Sequence, residues 1–152
     1  MSGNEGFILN RYLIIADDFT GSNDTGVQMK RRGLPTNVMF AGHPIPHDDS
    51  SVVIDTESRG MTGEGAGVVT DAAVAKVDFS GFKYIIKKVD STLRGNVAEE
   101  VKAVDRAFGS ELVIFAPALP DLGRTTEGGV HRLNGVPICS TELAKDPKKP
   151  VK

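Results

Sequence analysis

The chain has 152 residues, of which 39% are hydrophobic and 25% charged, and this length and composition suit one ordinary globular domain. A net charge of −2 gives no indication of a nucleic-acid or membrane-surface partner, and no apolar run approaches the ~20 residues that span a bilayer. The one cysteine, Cys139, excludes a disulfide within the chain and favours a reducing, cytoplasmic location.

Five runs rich in β-branched and aromatic residues predict strands, and most are continuously apolar, which is typical of strands buried on both faces. Helical patterns occupy several of the gaps between them, and such alternation predicts a doubly wound α/β fold with a parallel, helix-flanked sheet. The predicted strands are residues 12–16, 37–40, 51–55, 84–89 and 111–116, and the predicted helices are residues 24–32, 70–77 and 97–108.

The third predicted helix has the clearest boundaries. Asn96 and Glu99 have the spacing of a capping box, and Gly109 is suited to end the helix. Further on, Asn134-Gly135 lies between short apolar runs and predicts a β-hairpin within residues 129–138. We interpret residues 1–10 as a leader, 11–144 as the folded domain and 145–152 as a polar tail or truncation point.

Polar segments that contain glycine follow four of the five predicted strands, at residues 17–24, 55–60, 87–96 and 117–126. Ligands of open parallel sheets bind at the carboxyl ends of the strands, so we expect these segments to share one edge, called here the rim. Carboxylates accept hydrogen bonds from hydroxyls, while Arg and Lys neutralise acids, so the mixture suits a hydroxylated acid. The charged candidates are Asp17, Asp18, Arg59, Lys88, Asp90, Arg94 and Arg124.

Simpler interpretations stay open for some of these residues. Asp17 and Asp18, like Asp24 and Asn96, are also suited to capping helices or turns, and Arg94 and Arg124 to surface ion pairs. No metal site is predicted, and neither of the two glycine-rich nucleotide-binding motifs is present.

With these segments assembled, the sequence resembles the four-carbon acid sugar kinases, which phosphorylate threonate, erythronate or 3-oxo-tetronate with ATP. The resemblance is carried by ADDFTGSNDTG at 16–26, DTESRG at 55–60, KVDSTLRGN at 88–96, PALPDLGRTTEGG at 117–129 and NGVPICSTELAKDPKKPV at 134–151. These stretches follow the family's order and cover nearly the whole chain.

The resemblance implies the front portion of a two-domain enzyme, in which an N-terminal domain binds the sugar acid and a C-terminal domain binds the nucleotide. It implies that ATP and Mg²⁺ serve the full-length enzyme and are not bound by this chain, which we expect to be inactive alone. A homo-oligomer is left open. The implied substrate contacts are Asp17, Asp18, Arg59, Lys88, Asp90, Ser91, Arg94 and Arg124, with Asp18 as the proposed catalytic base.

Two other functions are compatible with the same pattern. A receiver domain would place a phosphoacceptor at Asp55, but it requires Lys-Pro after the fifth strand, where this chain has Ala116-Pro117. A small-molecule binding module is the second alternative, and it overlaps with a sugar-acid-binding domain.

Overall fold

The computed structural model describes residues 11–146 and Val151. Four parallel strands form the main sheet in the order β2-β3-β1-β4, and three antiparallel strands form a small second sheet in the order β5-β6-β7. The elements in chain order are β1 (Tyr12–Ala16), α1 (Phe19–Arg31), β2 (Thr36–Phe40), β3 (Ser51–Asp55), α2 (Gly63–Val74), β4 (Tyr84–Lys88), α3 (Val97–Phe108), β5 (Arg124–Glu127), β6 (Val130–Leu133) and β7 (Val136–Pro137).

Helices cover both faces of the main sheet, so the predicted doubly wound α/β class is confirmed. On one face, the side chains of Leu13 and Ile15 pack with Val74 of α2 and Val104 of α3. On the other face, Ile14, Ala16 and Val53 pack with Met29 of α1. Because the central strands β1 and β3 are covered on both faces, their continuous apolar runs are explained.

The ends of the helices depend on their caps. Helix α3 has the predicted bounds and ends at Gly109 in the left-handed conformation, but Asn96 makes no capping hydrogen bond with its side chain. Helix α1 begins at Phe19 rather than near Asp24, because Asp18 accepts a hydrogen bond from the backbone N–H of Gly21.

The second helix was placed too far along the chain. Helix α2 spans Gly63–Val74 rather than residues 70–77. Thr62 caps the helix, which therefore begins at Gly63, seven residues before the predicted start.

The fifth predicted strand is wrong. Residues 111–118 belong to no strand and make no backbone hydrogen bond to any described residue, and Leu112 and Ile114 are 76% and 80% exposed. The predicted hairpin is confirmed, with Asn134-Gly135 between β6 and β7, and β5 adds a third strand to it.

The predicted leader and most of the predicted tail, residues 147–150 and Lys152, lie outside the described residues. None of the helices within the described part of the chain is long and apolar enough to cross a membrane.

Candidate functional site

The segments after β1, β3 and β4 meet at the carboxyl end of the main sheet. The backbone N–H of Arg59 donates to the carbonyl of Asp17 at 3.0 Å, which joins the first segment to the second. The side-chain amide of Asn96 donates to the carbonyls of Ser58 and Met61, both at 3.1 Å, which joins the second segment to the third. Three of the four predicted segments therefore share the rim.

Asp17 and Asp18 meet at a single guanidinium. Arg59 donates from Nε and Nη2 to the two carboxylate oxygens of Asp17, at 2.8 and 2.9 Å, and from Nη1 to Asp18 at 2.6 Å. Burial alone would lower the pKa of Arg59, but the bonds and charges of Asp17 and Asp18 raise it above its usual value. The two carboxylates leave the strand in different directions, and Arg59 is long enough to bridge them.

Gly95 makes room for this cluster. It adopts φ +102°, and a Cβ at this position would lie 2.9 Å from Asp17 Oδ2 and 3.4 Å from Arg59 Cγ. Any other residue would be strained in its backbone and crowded against the ion pair. The segment after β4 can therefore approach Asp17 and Arg59 because it has glycine at this point.

Asp90 and Arg94 form a second pair within the segment after β4. Arg94 donates from Nε and Nη2 to the two oxygens of Asp90, at 2.8 and 3.0 Å, and Thr92 donates to the same carboxylate from its backbone and hydroxyl. Burial alone would raise the pKa of Asp90, but the bonds from Arg94 and Thr92 outweigh it and hold the pKa far below its usual value. Asp90 is therefore ionised and is mostly buried, while the Arg94 side chain is 34% exposed.

The two lysines of β4 point to opposite sides of the sheet. Lys88 lies near the start of α1, where its ammonium donates to the carbonyl of Val89 at 2.8 Å and a Cβ on Gly21 would lie 3.5 Å away. Lys87 instead forms a buried ion pair of 2.8 Å with Glu100 of α3. Lys88 is thus the lysine that belongs to the rim, as predicted.

Glu100 was missed by the sequence analysis. Its second oxygen accepts a hydrogen bond from Ser58 Oγ at 2.7 Å, and the Ser58 hydroxyl lies 2.8 Å from that of Thr56. This network fastens α3 beneath the rim. The signal was present, because Glu100 lies on the same helical face as Val97 and Val104, where an isolated surface glutamate would not be expected.

Asp55, the phosphoacceptor of the receiver alternative, ends β3 and is only 2% exposed. One of its oxygens accepts a hydrogen bond from the backbone N–H of Glu57 at 3.0 Å, and the other is buried with no hydrogen-bond partner among the described residues. Burial raises the pKa of Asp55 to about 6, and the charges of Glu57 and Asp18 act in the same direction. A carboxyl group so enclosed is poorly placed to attack a phosphodonor.

The hairpin sheet contacts the rim through His131, a second residue that the sequence analysis missed. His131 is buried in β6, and its Nε2–H donates to the carbonyl of Ser91 at 2.8 Å, while Thr126 Oγ lies within hydrogen-bond distance of Nδ1, at 2.9 Å. His131 thus fixes the backbone of Ser91, a predicted substrate contact.

Arg124 is the predicted site residue that the structure does not join to the others. It begins β5, and it forms no ion pair with a described acidic residue; its Nε is buried with no hydrogen-bond partner. The segment before it was expected at the rim because 111–116 was predicted to be a strand of the main sheet. Among the described residues, only the contact of His131 connects this sheet to the rim by a side-chain hydrogen bond.

The rim therefore combines ionised carboxylates with guanidinium and ammonium groups, and can accept hydrogen bonds from hydroxyls while neutralising an acid. Within residues 11–146 and Val151, no three His, Cys, Asp or Glu side chains are grouped as a metal site requires.

Comparison with known proteins is consistent with this geometry. Residues 12–152 match the family described as the sugar-binding N-terminal domain. The chain is 45% identical over 143 residues to a D-threonate kinase of Salmonella typhimurium, and 35% identical over 149 residues to a D-erythronate kinase of Heliobacterium modesticaldum. These alignments cover 93% and 94% of this chain but 34% of each relative, so the chain spans about a third of their length.

A solved structure from Bordetella bronchiseptica has the same fold, with a TM-score of 0.82 and 33% sequence identity. The match covers 93% of this chain and 37% of that one, which was determined with bound citrate as a domain-swapped dimer. With the family match over nearly all of its length, the chain belongs to the sugar-binding N-terminal domain family of the four-carbon acid sugar kinases.

Proposed function

We propose that this chain binds a four-carbon sugar acid, such as threonate or erythronate, at the rim, as the substrate domain of an ATP-dependent kinase. One observation carries the proposal: the ionised Asp90–Arg94 pair lies beside Asp17, Asp18 and Arg59 in a chain that is 45% identical to a D-threonate kinase. The citrate bound to the Bordetella bronchiseptica protein, itself a hydroxy acid, is consistent with such a ligand.

The residues divide by chemistry. Arg94 and Lys88 are the groups with which the substrate carboxylate pairs, because Arg94 is partly exposed and Lys88 donates only to a backbone carbonyl. Asp90 and Asp18 accept hydrogen bonds from the sugar hydroxyls. Ser91 contributes from the same segment as Asp90, and Arg124 would join them by a movement of its side chain.

In this proposal Asp17 and Arg59 do not contact the ligand and act by orienting Asp18. All three guanidinium nitrogens of Arg59 already donate to the two carboxylates, so in this proposal Arg59 serves mainly to orient Asp18. Asp18 is our proposed base for the acceptor hydroxyl. Phosphoryl transfer depends mainly on positioning and charge neutralisation, so such a base need not be strong.

ATP supplies the phosphoryl group in the full-length kinases, and we propose that ATP and Mg²⁺ are held by their nucleotide-binding domain. The described residues of this chain offer no grouped metal ligands, and the sequence contains no glycine-rich phosphate loop of the two common types. The part of this chain is to hold and orient the acid. We expect calorimetry to detect no binding of ATP to this chain alone. We also propose that the domain is located in the cytoplasm.

Thermal unfolding in the presence of small ligands tests the proposal. D-threonate and D-erythronate should raise the Tm, whereas erythritol, which lacks the carboxylate, and succinate, which lacks the hydroxyls, should each have little effect. Arg94→Ala should remove the response, and Arg106→Ala should preserve it, because Arg106 pairs with Asp71 on an exposed surface. No rise in Tm with any four-carbon sugar acid would refute the proposal.

A further inference from the structure

A groove of about 530 Å³ runs between β4 and residues 112–116, and we call it the β4 groove. Among the described residues, β4 is an edge strand of the main sheet, which pairs with β1 on one side and with no strand on the other. The groove is lined along its length by β4, by α3 and by 112–116.

The walls of the β4 groove are apolar to a degree unusual for an exposed surface. Tyr84 and Ile86 of β4 are 40% and 41% exposed, and Phe108 of α3 is 45% exposed. Across the groove, Leu112, Val113, Ile114 and Phe115 are all more than half exposed. Contiguous exposed apolar surface of this kind marks an interaction site.

The backbone of both walls is also available. Within the described part of the chain, the outward edge of β4 has no strand beside it, and residues 111–118 make no backbone hydrogen bond. The sequence Glu111-Leu-Val-Ile-Phe-Ala116 has strong β propensity but pairs with no strand among the described residues. Two unpaired edges that face one apolar groove are the geometry into which a single strand fits.

We propose that the β4 groove binds one extended apolar β-strand, which hydrogen-bonds to β4 on one side and to residues 112–116 on the other. The strand packs against Val101 and Phe108 of α3, which extend beyond β4 to line the groove. The main sheet would then continue through the added strand to 112–116, which accounts for the strand-like sequence of this segment.

The occupant that the observations favour is a strand from the part of the longer four-carbon acid sugar kinases that this chain does not match. That part makes up about two thirds of the relatives, since the alignments cover 34% of each. The Bordetella bronchiseptica structure is a domain-swapped dimer, so in that relative a segment exchanges between copies. The alternative occupant is residues 112–116 of a second copy of this chain.

Hydrogen exchange compares this chain with the full-length Salmonella typhimurium D-threonate kinase. The amides of residues 112–116 and the outward-facing amides of residues 84–88, which do not bond to β1, should exchange at least ~100-fold faster in this chain than at the aligned positions of the kinase. The central strands β1 and β3 should differ little, and β2, the opposite edge of the sheet, is the matched control. Equal exchange in the two proteins, or concentration-dependent protection in this chain, would overturn the proposal.

Photo-crosslinking identifies the occupant. A benzophenone side chain placed in the kinase at the position aligned with Ile114 should crosslink to a peptide outside the matched third, whether in the same subunit or a swapped one. A crosslink to the matched third, or none at all, would count against this occupant.

A substitution in both proteins provides a third comparison. Ile114→Asp should change the Tm of this chain by less than about 2 °C, because the side chain is 80% exposed. The aligned substitution should lower the Tm of the kinase by at least about 5 °C. Val68→Asp on the exposed face of α2 is the control and should be mild in both proteins. Equal tolerance of the two substitutions in the kinase would contradict the proposed strand.

Discussion

The rim contains two arginines, Arg59 and Arg94, that bind carboxylates through the same chemical groups but serve different purposes. In the first pair, Asp17 and the Arg59 side chain are 2% and 10% exposed, and every nitrogen of the guanidinium has a carboxylate partner. In the second, Arg94 bonds to Asp90 through two nitrogens and is 34% exposed. A buried and fully bonded pair holds segments of chain together, whereas an exposed pair keeps charge available for a ligand.

The comparison predicts that the largest loss of stability comes from the buried pair. Arg59→Ala leaves Asp17 charged and enclosed, so we expect the free energy of unfolding to fall by about 3–5 kcal/mol in urea denaturation. Arg106→Ala removes an exposed pair on α3 and should cost less than about 1 kcal/mol. Equal losses of unfolding free energy in the two variants would show that the buried pair is no more important for stability than the exposed one.

The network beneath the rim should behave like the buried pair. Glu100→Ala leaves Lys87 enclosed without its partner, and we expect a loss of about 3 kcal/mol. The double variant Glu100→Ala with Lys87→Met should recover much of this loss, because no unpaired charge remains. If the double variant is less stable than the single one, the loss comes from packing and not from charge.

The partly exposed pair of Arg94 and Asp90 should affect binding more than stability. Arg94→Ala should reduce affinity for D-threonate by about 10- to 100-fold, since a charge-assisted hydrogen bond contributes ~1.5–3 kcal/mol. The loss of stability should be near 1 kcal/mol, because Thr92 still donates to Asp90. Calorimetry on Arg94→Ala and Arg94→Lys measures the effect, and unchanged affinity in both would exclude Arg94 from the site.

Asp55 should give the protein a pH-dependent stability, because its carboxyl group is buried. Its pKa is raised in the folded protein from 3.8 to about 6, so the folded state binds more protons than the unfolded chain in this range. The stability that Asp55 contributes is thus complete below pH 3.8 and is lost as the pH rises to about 6. The pKa of Asp90 is lowered, so its contribution persists over this range and is lost only below pH 3.8.

Urea denaturation of the wild type and of Asp55→Asn between pH 4 and 7 tests the direction of this pH dependence. The stability of the wild type relative to the variant should fall up to about pH 6 and then stay constant. A relative stability that rises with pH would show that Asp55 is stabilised as the ion.

The parts of the fold that depend on local pattern were predictable. The strands at 12–16 and 51–55 and the helix at 97–108 have their predicted bounds, because their burial leaves a continuous or helical apolar pattern. The segment 111–116 has an equally strong pattern but is not a strand, because a strand exists only where a neighbour completes its hydrogen bonds. The β propensity of a segment indicates that it can form a strand, but not whether a neighbouring strand is present to pair with it.

The candidate site divides in the same way. The sequence predicted four segments at one edge, and three of them meet there, because the carboxyl ends of parallel strands share an edge. It did not identify which side chains pair with each other. Arg59 binds both aspartates, Glu100 lies beneath the rim and His131 lies beside it. These contacts depend on the directions of side chains in distant segments. Such contacts have no signature in the spacing of residues along a chain.

The most direct test of the account is a nuclear magnetic resonance titration of this 16.2 kDa chain with D-threonate, followed through its backbone amides. The account predicts that the largest shifts occur in residues 17–22, 57–60 and 88–96, and that Arg94→Ala abolishes them. Shifts confined to the β4 groove or to the far edge at β2, or no shifts at millimolar D-threonate, would contradict it.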